Sequence, residues 1–251
     1  EFTLDGLSFS DYESSWFDAM KIFDRLEFVN SEYMINNALA KGQKILAEGA
    51  QGSMLDIDFG TYPFVTSSNT ISAGVCSGLG VAPQLIGEVF GIFKAYCTRV
   101  GSGPFPTELV DANGDLMRDT GREFGSTTGR PRRCGWLDLV ALKYSIMLNG
   151  VTKLFMMKTD VLSPFEAIDI CTSYKINGIE TSEVPYDMTA DHIEAIYTSM
   201  PGWNVAVDEL DNISHSPEAL NEYIAFIEKE TKVPIEVVSI GPDRKQTLYR
   251  K

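Results

Sequence analysis

Short apolar segments that end in a glycine or a charged turn alternate along this chain with segments of helical periodicity. Such alternation is typical of strand–helix–strand units, in which the strands pair in parallel. Strands are predicted at residues 44–49, 64–66, 89–98, 153–157, 167–175 and 235–240. Helices are predicted at residues 11–26, 31–40, 73–79, 137–148, 192–200 and 217–229. The sequence therefore predicts an α/β fold with a largely parallel sheet and flanking helices.

The chain is long enough for one large domain or two ordinary ones, at 251 residues. No internal repeat, low-complexity run or linker-like segment divides it, so we expect a single domain or most of one. We expect residues 1–43 to be a helical lead-in, with apolar residues at helical spacing, and residues 44–251 to be the α/β core. The first residue is Glu1 and not methionine, which is consistent with a piece of a longer protein.

The charge of the chain is strongly acidic overall but locally basic. The 21 lysines and arginines against 35 aspartates and glutamates give a formal net charge of −14. Such a surface repels nucleic acid and anionic membranes, so neither is expected as a partner. Six arginines nevertheless fall within a short central stretch: Arg99, Arg118, Arg122, Arg130, Arg132 and Arg133. This local positive charge favours a small anionic ligand.

The sequence has the features of a cytoplasmic protein. No apolar stretch approaches the roughly 20 residues that a membrane-spanning helix needs, and no basic segment precedes an apolar run as in a secretory leader. The cysteines are far apart and include no C-x-x-C pair: Cys76, Cys97, Cys134 and Cys171. Buried free thiols are therefore favoured over a disulfide framework.

The run G-S-T-T-G-R-P-R-R, residues 125–133 and hereafter the arginine loop, has the composition of an anion-binding loop. Arginine matches carboxylates and phosphates with two parallel hydrogen bonds, and threonine hydroxyls and exposed amides can complete the cradle. Pro131 keeps the segment extended. A solvated charged loop is the alternative. It is less favoured because the apolar residues that follow connect the loop to a core element.

Two polar turns early in the chain are candidate ligand contacts. In E-G-A-Q-G, glycines flank Gln51 after a predicted strand, which leaves an amide side chain that can both donate and accept. In G-T-Y-P-F-V-T-S-S-N-T, hydroxyls such as that of Thr66 precede a predicted helix, whose N-terminus is a suitable place for a phosphate. A plain turn and a run of helix-capping residues remain equal alternatives for these two segments.

The segment M-M-K-T-D, which ends another predicted strand, could select guanine. A carboxylate such as that of Asp160 can accept hydrogen bonds from both the ring N–H and the 2-amino group of guanine. Adenine has neither of these two donors, so the same carboxylate would reject it. K-x-D is a common combination, so a turn without a role in nucleotide binding remains an alternative interpretation of this segment. S-I-G-P-D-R follows the last predicted strand and could form an edge of the same crevice. Asp56 and Asp58 are interpreted as structural, and His192 and His215 as surface residues.

Taken in order, six segments resemble the adenylosuccinate synthetase family: E-G-A-Q-G-x-M-L-D-I-D, G-T-Y-P-F-V-T-S-S-N, K-A-Y-x-T-R-V-G-S-G-P-F-P-T-E-L, T-T-G-R-P-R-R-C-G-W-L-D, M-K-T-D-V-L and S-I-G-P-D-R. The resemblance runs from about residue 44 to residue 250. It implies a large α/β domain like that of P-loop GTPases, a homodimer, and a GTP-dependent ligase of purine (AMP) biosynthesis. In that reaction GTP phosphorylates the 6-oxygen of IMP, and the amine of L-aspartate then displaces the phosphate.

The resemblance implies a role for each matching residue. The implied IMP contacts are Gln51, Thr66, Val100 and Arg130, with Gln51 assisting near the 6-oxygen. The implied aspartate contacts are Ser126, Thr127, Thr128, Gly129, Arg130, Pro131 and Arg132. The implied GTP contacts are Arg132, Lys158, Thr159, Asp160, Ser239, Ile240 and Gly241. Met157 departs from the threonine that many members carry, which affects the finer geometry of the base clamp.

The likeness concerns the C-terminal part of the family only. The family's glycine-rich G-D-E-G-K-G-K loop, its catalytic aspartate and its histidine acid have no counterpart here, and the chain has no Gly-Lys dipeptide. The Mg²⁺ ligands are expected in that other part, and no metal site is predicted here. We therefore expect a C-terminal portion that is inactive by itself. The alternative is a non-catalytic chain that binds a nucleotide or a partner.

Overall fold

The structure is a computed structural model that describes residue 6, residues 8–189 and residues 192–250. The α-helices in these residues are α1 (Phe9–Met20), α2 (Ser31–Ala40), α3 (Ala73–Leu79), α4 (Ala112–Thr120), α5 (Leu139–Asn149) and α6 (Glu218–Thr231). The strands are β1 (Phe90–Lys94), β2 (Cys97–Arg99), β3 (Arg133–Gly135), β4 (Leu137–Asp138), β5 (Lys153–Met157), β6 (Ala167–Ile176), β7 (Ile179–Thr181), β8 (Ile193–Pro201), β9 (Ile235–Ser239) and β10 (Thr247–Tyr249).

The first sheet has the order β1-β5-β9-β10 and carries the parallel strands that the sequence predicts. β5 lies between β1 and β9 and is parallel to both, with Met156 opposite Phe93 on one side and Val238 on the other. Leu154 and Met156 are buried, as expected for a central strand of a parallel sheet. β10 adds an antiparallel edge. The predicted α/β class, with parallel strands and flanking helices, is confirmed.

The second sheet is built around the long strand β6. β4 pairs with β6 in parallel, whereas β7 and β8 pair with it antiparallel. The prediction of a helix at residues 192–200 is wrong, because this segment is β8 and pairs with β6 along its length. Its isoleucines, threonine and tyrosine have high strand propensity, and the pairing with β6 satisfies the backbone hydrogen bonds. The second sheet is thus mostly antiparallel.

The main hydrophobic core includes one face of helix α6 and buried residues of strands in both sheets, among them β5, β9 and β6. The helix buries one face through Leu220, Tyr223, Ile224 and Ile227, at the spacing of an amphipathic helix. The Tyr223 hydroxyl donates to the backbone oxygen of Ala95 at 2.6 Å, just beyond the end of β1. Burying one such aliphatic side chain contributes about 1.5–3 kcal/mol. This packing therefore fixes the carboxyl ends of the parallel strands, where the candidate ligand residues lie.

Two short strands predicted from the sequence do not form. Residues 44–49 are irregular and largely exposed, and residues 64–66 form part of a turn in which the Phe64 amide donates to Thr61. A strand needs a neighbour for its backbone groups, and within the described residues neither segment pairs with one. The predicted strand at residues 89–98 is divided into β1 and β2. The helix α4 and the strands β3, β4, β7 and β10 were not predicted. The helix predicted to begin at residue 137 begins at Leu139 as α5, because residues 137 and 138 pair with β6 as β4.

The helical lead-in is present, but the apolar side chains of its first helix are exposed. α1 continues as a short 3-10 helix, Lys21–Arg25, in place of one helix to residue 26. Trp16 and Phe23 remain 55% and 41% exposed, so the periodicity of this segment does not correspond to a buried face in the structure. Helix α2 has its predicted bounds.

The four cysteines are free thiols, as predicted, and Cys134 and Cys171 are buried. Among the helices in the described part of the chain, none has the length and apolar character to cross a membrane.

Candidate functional site

The ends of β5 and β9 bring together the two segments predicted to bind guanine. Lys158 follows β5 in a left-handed conformation, with φ of 63°, and Thr159 then begins a 3-10 turn that ends at Leu162. The buried Thr159 hydroxyl donates to the backbone oxygen of Ser239 at 2.8 Å. Because β5 and β9 are adjacent and parallel, their carboxyl ends open on the same edge of the sheet, where α/β proteins place ligands.

Asp160 is one of the residues that line a pocket of about 290 Å³. Its Oδ1 atom is buried and has no hydrogen-bond partner among the described residues, as is also true of the Ser163 hydroxyl. Burial raises the pKa of Asp160 above its usual 3.8, and the negative charge of Asp208 adds to the effect. A buried acceptor without a donor is costly unless a ligand supplies one. Asp160 therefore lines the pocket and carries an acceptor that no described residue satisfies.

The segment Ser239, Ile240 and Gly241 forms another side of this region. The Ile240 amide donates to the backbone oxygen of Gln246, and the Ser239 hydroxyl donates to that of Gly241 at 3.0 Å. A side chain at Gly241 would collide with the amide group of Gln246, which lines the pocket. A larger residue at this position would therefore require the flexible end of the Gln246 side chain to move.

Beside this pocket, the fully buried carboxylate of Glu123 binds three cations. Its Oε1 atom accepts from Lys158 at 2.7 Å and from Lys94 at 2.8 Å, and its Oε2 atom accepts from Arg132 at 2.8 Å. The hydroxyl of Tyr96 also donates to Oε1. Burial raises the pKa of Glu123, but these donors outweigh it and lower the pKa to about 2. We name Glu123, Lys94, Lys158 and Arg132 the Glu123 cluster.

The arginine loop is a closed turn at the surface. The Gly125 amide donates to the backbone oxygen of Arg130 and the Gly129 amide to that of Gly125, each at 2.8 Å. Gly129 has a φ of 63°, which suits glycine. The exposed residues of the loop are Ser126, Thr127, Thr128, Gly129, Arg130 and Pro131. They are therefore accessible to a ligand.

The two arginines after Pro131 point to different partners. Arg132 contacts Glu123, and its Nε atom is buried without a hydrogen-bond partner among the described residues. Arg133 instead binds Glu108 with two parallel contacts and also donates to the backbone oxygen of Gly103 at 2.8 Å. Only Arg132 is joined to the region around Lys158. Arg133 has a structural role in holding its own loop.

The residues assigned to IMP lie in two places. The Arg99 guanidinium donates at 3.1 Å both to the Thr61 hydroxyl and to the backbone oxygen of Phe64, which places the loop containing Thr66 near Val100. Val100 follows β2, and β2 pairs antiparallel with β3. This pairing brings Val100 close to the end of the arginine loop.

Gln51 lies elsewhere, in a groove of about 800 Å³. It has a φ of 62° and an exposed side chain. The groove is also lined by the apolar residues Leu46, Phe90 and Ile92, all substantially exposed. The structure therefore joins Lys158 to Arg132, at the end of the arginine loop, through Glu123, whereas Gln51 lines a groove to which no guanine residue contributes.

Asp56 has the structural role that the sequence predicts. Its buried carboxylate accepts hydrogen bonds from four backbone amides, including that of Thr70 at 2.7 Å. Burial raises the pKa of Asp56, and the amide donors lower it to a net value below 3.8. His192 and His215 are exposed, in agreement with the prediction. Within residues 8–189 and 192–250, no three His, Cys, Asp or Glu side chains are grouped as a metal site.

Sequence reasoning missed the Glu123 cluster and the Asp208 and Gln246 side chains of the pocket. Glu123 lies two residues before the arginine loop in G-R-E-F-G, and a single acid between basic residues was the available signal. Asp208 and Gln246 lie in irregular segments without a recognisable pattern. Only their positions in the fold connect them to Asp160.

Comparison with known proteins extends over almost the whole chain. The family model of adenylosuccinate synthetase matches residues 2–248. The adenylosuccinate synthetases of Parabacteroides distasonis and Bacteroides fragilis are 56% and 58% identical to the chain over 241 residues. These alignments cover 96% of the chain but 57% of each relative. The chain thus spans little more than half the length of these relatives.

Comparison with solved structures finds the same family. The fully ligated adenylosuccinate synthetase of Plasmodium falciparum superposes with a TM-score of 0.85 and 36% identity, over 97% of this chain and 63% of that one. A succinoaminodeoxyadenylate synthetase of cyanophage S-2L, at 19% identity and a TM-score of 0.56, shows likeness of fold alone. The match of the family model over nearly every residue shows that the chain belongs to the adenylosuccinate synthetase family.

Proposed function

We propose that the chain supplies the guanine-binding and aspartate-binding part of an adenylosuccinate synthetase. The reaction is the GTP-dependent ligation of IMP and L-aspartate through a 6-phosphoryl-IMP intermediate. The observation that carries this proposal is the buried, unpartnered carboxylate oxygen of Asp160 in a pocket beside the Glu123 cluster. Family membership, with 56–58% identity to the bacterial synthetases, supports the same reaction.

Guanine recognition rests on the acceptor character of Asp160. An ionised carboxylate accepts hydrogen bonds only, and guanine offers two neighbouring donors, the ring N–H and the 2-amino group. Lys158, next to the pocket, would lie along the plane of the base with its stem while its ammonium remains bound to Glu123 and to the backbone oxygen of Gly121. Thr159, Ser239 and Ile240 are buried, and Gly241 directly precedes Pro242, which lines the pocket.

Aspartate recognition rests on the arginine loop. Arg132 uses one nitrogen for Glu123, which leaves guanidinium donors for a ligand carboxylate or for a GTP phosphate. The exposed hydroxyls and amides of residues 126–131 would surround the remaining oxygens of aspartate. Holding the amine of aspartate near the 6-position of IMP makes the displacement effectively unimolecular.

For IMP, we assign the 5′-phosphate to Thr66, the ribose to Val100 and Arg130, and the base to Gln51. The proximity of Val100 to the end of the arginine loop supports the ribose assignment, since Arg130 lies in that loop. The separate groove of Gln51 is compatible with a ligand that extends from one region to the other. None of these residues has a titratable group suited to acid–base catalysis, so their role is binding and orientation.

The family's reaction also uses Mg²⁺, which neutralises phosphate charge when bound. The described residues contain no grouped carboxylates or histidines that fit the ion. We therefore assign none of them as a ligand to Mg²⁺. We further propose a cytoplasmic homodimer for the complete enzyme, as the family implies.

We expect the isolated chain to form no adenylosuccinate at a measurable rate. General acid–base groups contribute about 10²–10⁴-fold each, and no such group was assigned above. Incubation of the purified chain with IMP, GTP and aspartate, followed by chromatography of the nucleotides, tests this expectation. Clear turnover without contaminating host enzyme would contradict it.

Calorimetric titration of the purified chain with GDP, IDP and ADP tests the proposed guanine site. We expect the order GDP, then IDP, then ADP, because IDP lacks the 2-amino donor and ADP lacks both. Equal affinities for the three nucleotides, or binding that survives Asp160→Ala unchanged, would overturn the assignment of this pocket.

A further inference from the structure

Glu123 lies between Lys158, which the proposed function assigns to guanine, and Arg132, which it assigns to aspartate and to a GTP phosphate. One carboxylate oxygen contacts Lys158 of the guanine site at 2.7 Å, and the other contacts Arg132 of the aspartate site at 2.8 Å. Lys158 follows β5, whereas Arg132 precedes β3. One side chain therefore connects two elements that are distant in the sequence.

The burial of Glu123 excludes direct contact with a substrate. Its side chain is 0% exposed, whereas those of Lys158 and Arg132 are 32% and 31% exposed. The exposed parts of the two cations can bind ligands while their inner parts are held by Glu123. Any effect of Glu123 on substrates must therefore act through these two neighbours.

The charges of the Glu123 cluster favour anions at its outer side. One carboxylate faces three cations, because Lys94 is also within 2.8 Å, so a net positive charge remains. Without Glu123, the three cations would repel each other and separate. Its negative charge holds them close enough to act on one anionic region, while their combined charge still exceeds that of the carboxylate.

We infer that Glu123 is a positioning residue that holds Lys158 and Arg132 in their binding geometry and thereby sets the affinity for GTP and for aspartate together. The inference rests on the proposed function. It goes beyond it by assigning one buried residue, which touches no substrate, to two substrate sites.

The test is Glu123→Gln in a complete synthetase that carries this sequence. Glutamine has the same shape but no charge, and its NH₂ group cannot accept from a cation. We expect the KM values for GTP and for aspartate to rise together by about 10-fold or more, the effect of losing one charge-assisted hydrogen bond on each side. The KM for IMP should stay at the wild-type value, because Glu123 contacts none of the residues assigned to IMP.

A second variant protects the test against loss of folding. Glu123→Gln combined with Lys94→Met removes one charge of each sign, which lowers the repulsion within the cluster, and circular dichroism checks that the protein is folded. The two raised KM values should persist in this double variant. A loss of stability alone would lower the amount of active enzyme, and hence the apparent kcat, with all three KM values unchanged.

Glu108→Gln is the matched control, because it removes the carboxylate partner of Arg133 in the same part of the fold. We expect wild-type KM values for this variant. Unchanged KM values for GTP and aspartate in folded Glu123→Gln, or equal effects in Glu108→Gln, would overturn the inference. Failure of the proposed function would be seen separately, as wild-type enzyme that does not use GTP or aspartate.

Discussion

Replacement of Asp160 by asparagine should weaken GTP binding and reduce the preference for guanine. The Oδ1 atom of Asp160 is buried without a partner in its pocket. An amide in the same place offers one acceptor and one donor group, so one of the two guanine donors would face another N–H. The mismatch costs about 1–3 kcal/mol, which corresponds to roughly 5- to 150-fold in affinity because about 1.4 kcal/mol is tenfold.

The assay compares GTP with ITP in a complete synthetase that carries this sequence. ITP lacks the 2-amino group, so Asp160→Asn should raise the KM for GTP far more than the KM for ITP, and the ratio of the two should approach one. A ratio that remains at its wild-type value would remove Asp160 from the guanine site.

Asp208→Asn is the control for general charge effects, because Asp208 lines the same pocket and its charge raises the pKa of Asp160. This variant removes one negative charge without removing the buried acceptor. It should leave the ratio for GTP and ITP at its wild-type value. Equal effects of the two substitutions would mean that the pocket selects by charge alone and would refute the hydrogen-bond argument.

The protonation of Asp160 gives an independent readout. Burial raises its pKa above 3.8, so acidification protonates it earlier than an exposed carboxylate. A protonated carboxyl group no longer accepts both guanine donors. GTP affinity should therefore fall as the pH decreases towards this raised pKa, and the dependence should vanish in Asp160→Asn.

Arg132→Leu in the complete enzyme should raise the KM for aspartate and lower kcat together. The expected change is about 10- to 150-fold, for a lost charge-assisted contact of about 1.5–3 kcal/mol. Arg133→Leu should leave the KM for aspartate near wild type, and equal effects of the two substitutions would contradict a specific contact. Gly135→Ala places a methyl group against the backbone carbonyl of Thr107. It should lower the free energy of unfolding, measured in urea, by about 1–3 kcal/mol. Gly49→Ala should leave the free energy of unfolding unchanged, because the space around Gly49 is open. The pKa of Glu123 is about 2 in the folded state, against 4.5 in the unfolded chain. Ionised Glu123 should therefore contribute fully to the free energy of unfolding above pH 4.5, and this contribution should be lost as the pH falls to 2. The free energy of unfolding of Glu123→Gln, measured over the same pH range, should lack this pH-dependent contribution.

Elements with strong local patterns could be predicted from the order of the amino acids. The apolar run of β5, the helical periodicity of α6 and the class of the sheet could be predicted because they depend on neighbouring residues. The proximity of Asp160 and Ser239 could also be anticipated, since the carboxyl ends of adjacent parallel strands open on one edge. Residue 137, in contrast, is a strand residue, although the helix was predicted to begin there.

Elements and contacts that depend on residues distant in the sequence could be assigned only from the packed chain. Residues 193–201 form a strand because β6 offers them backbone groups to pair with, and residues 44–49 have no such neighbour among the described strands. The burial of Asp160 and the convergence of Lys158 and Arg132 on Glu123 likewise join residues from separate elements. Burial and charge pairing are properties of the packed chain, because desolvation depends on what surrounds a group in space and not on its neighbours in sequence.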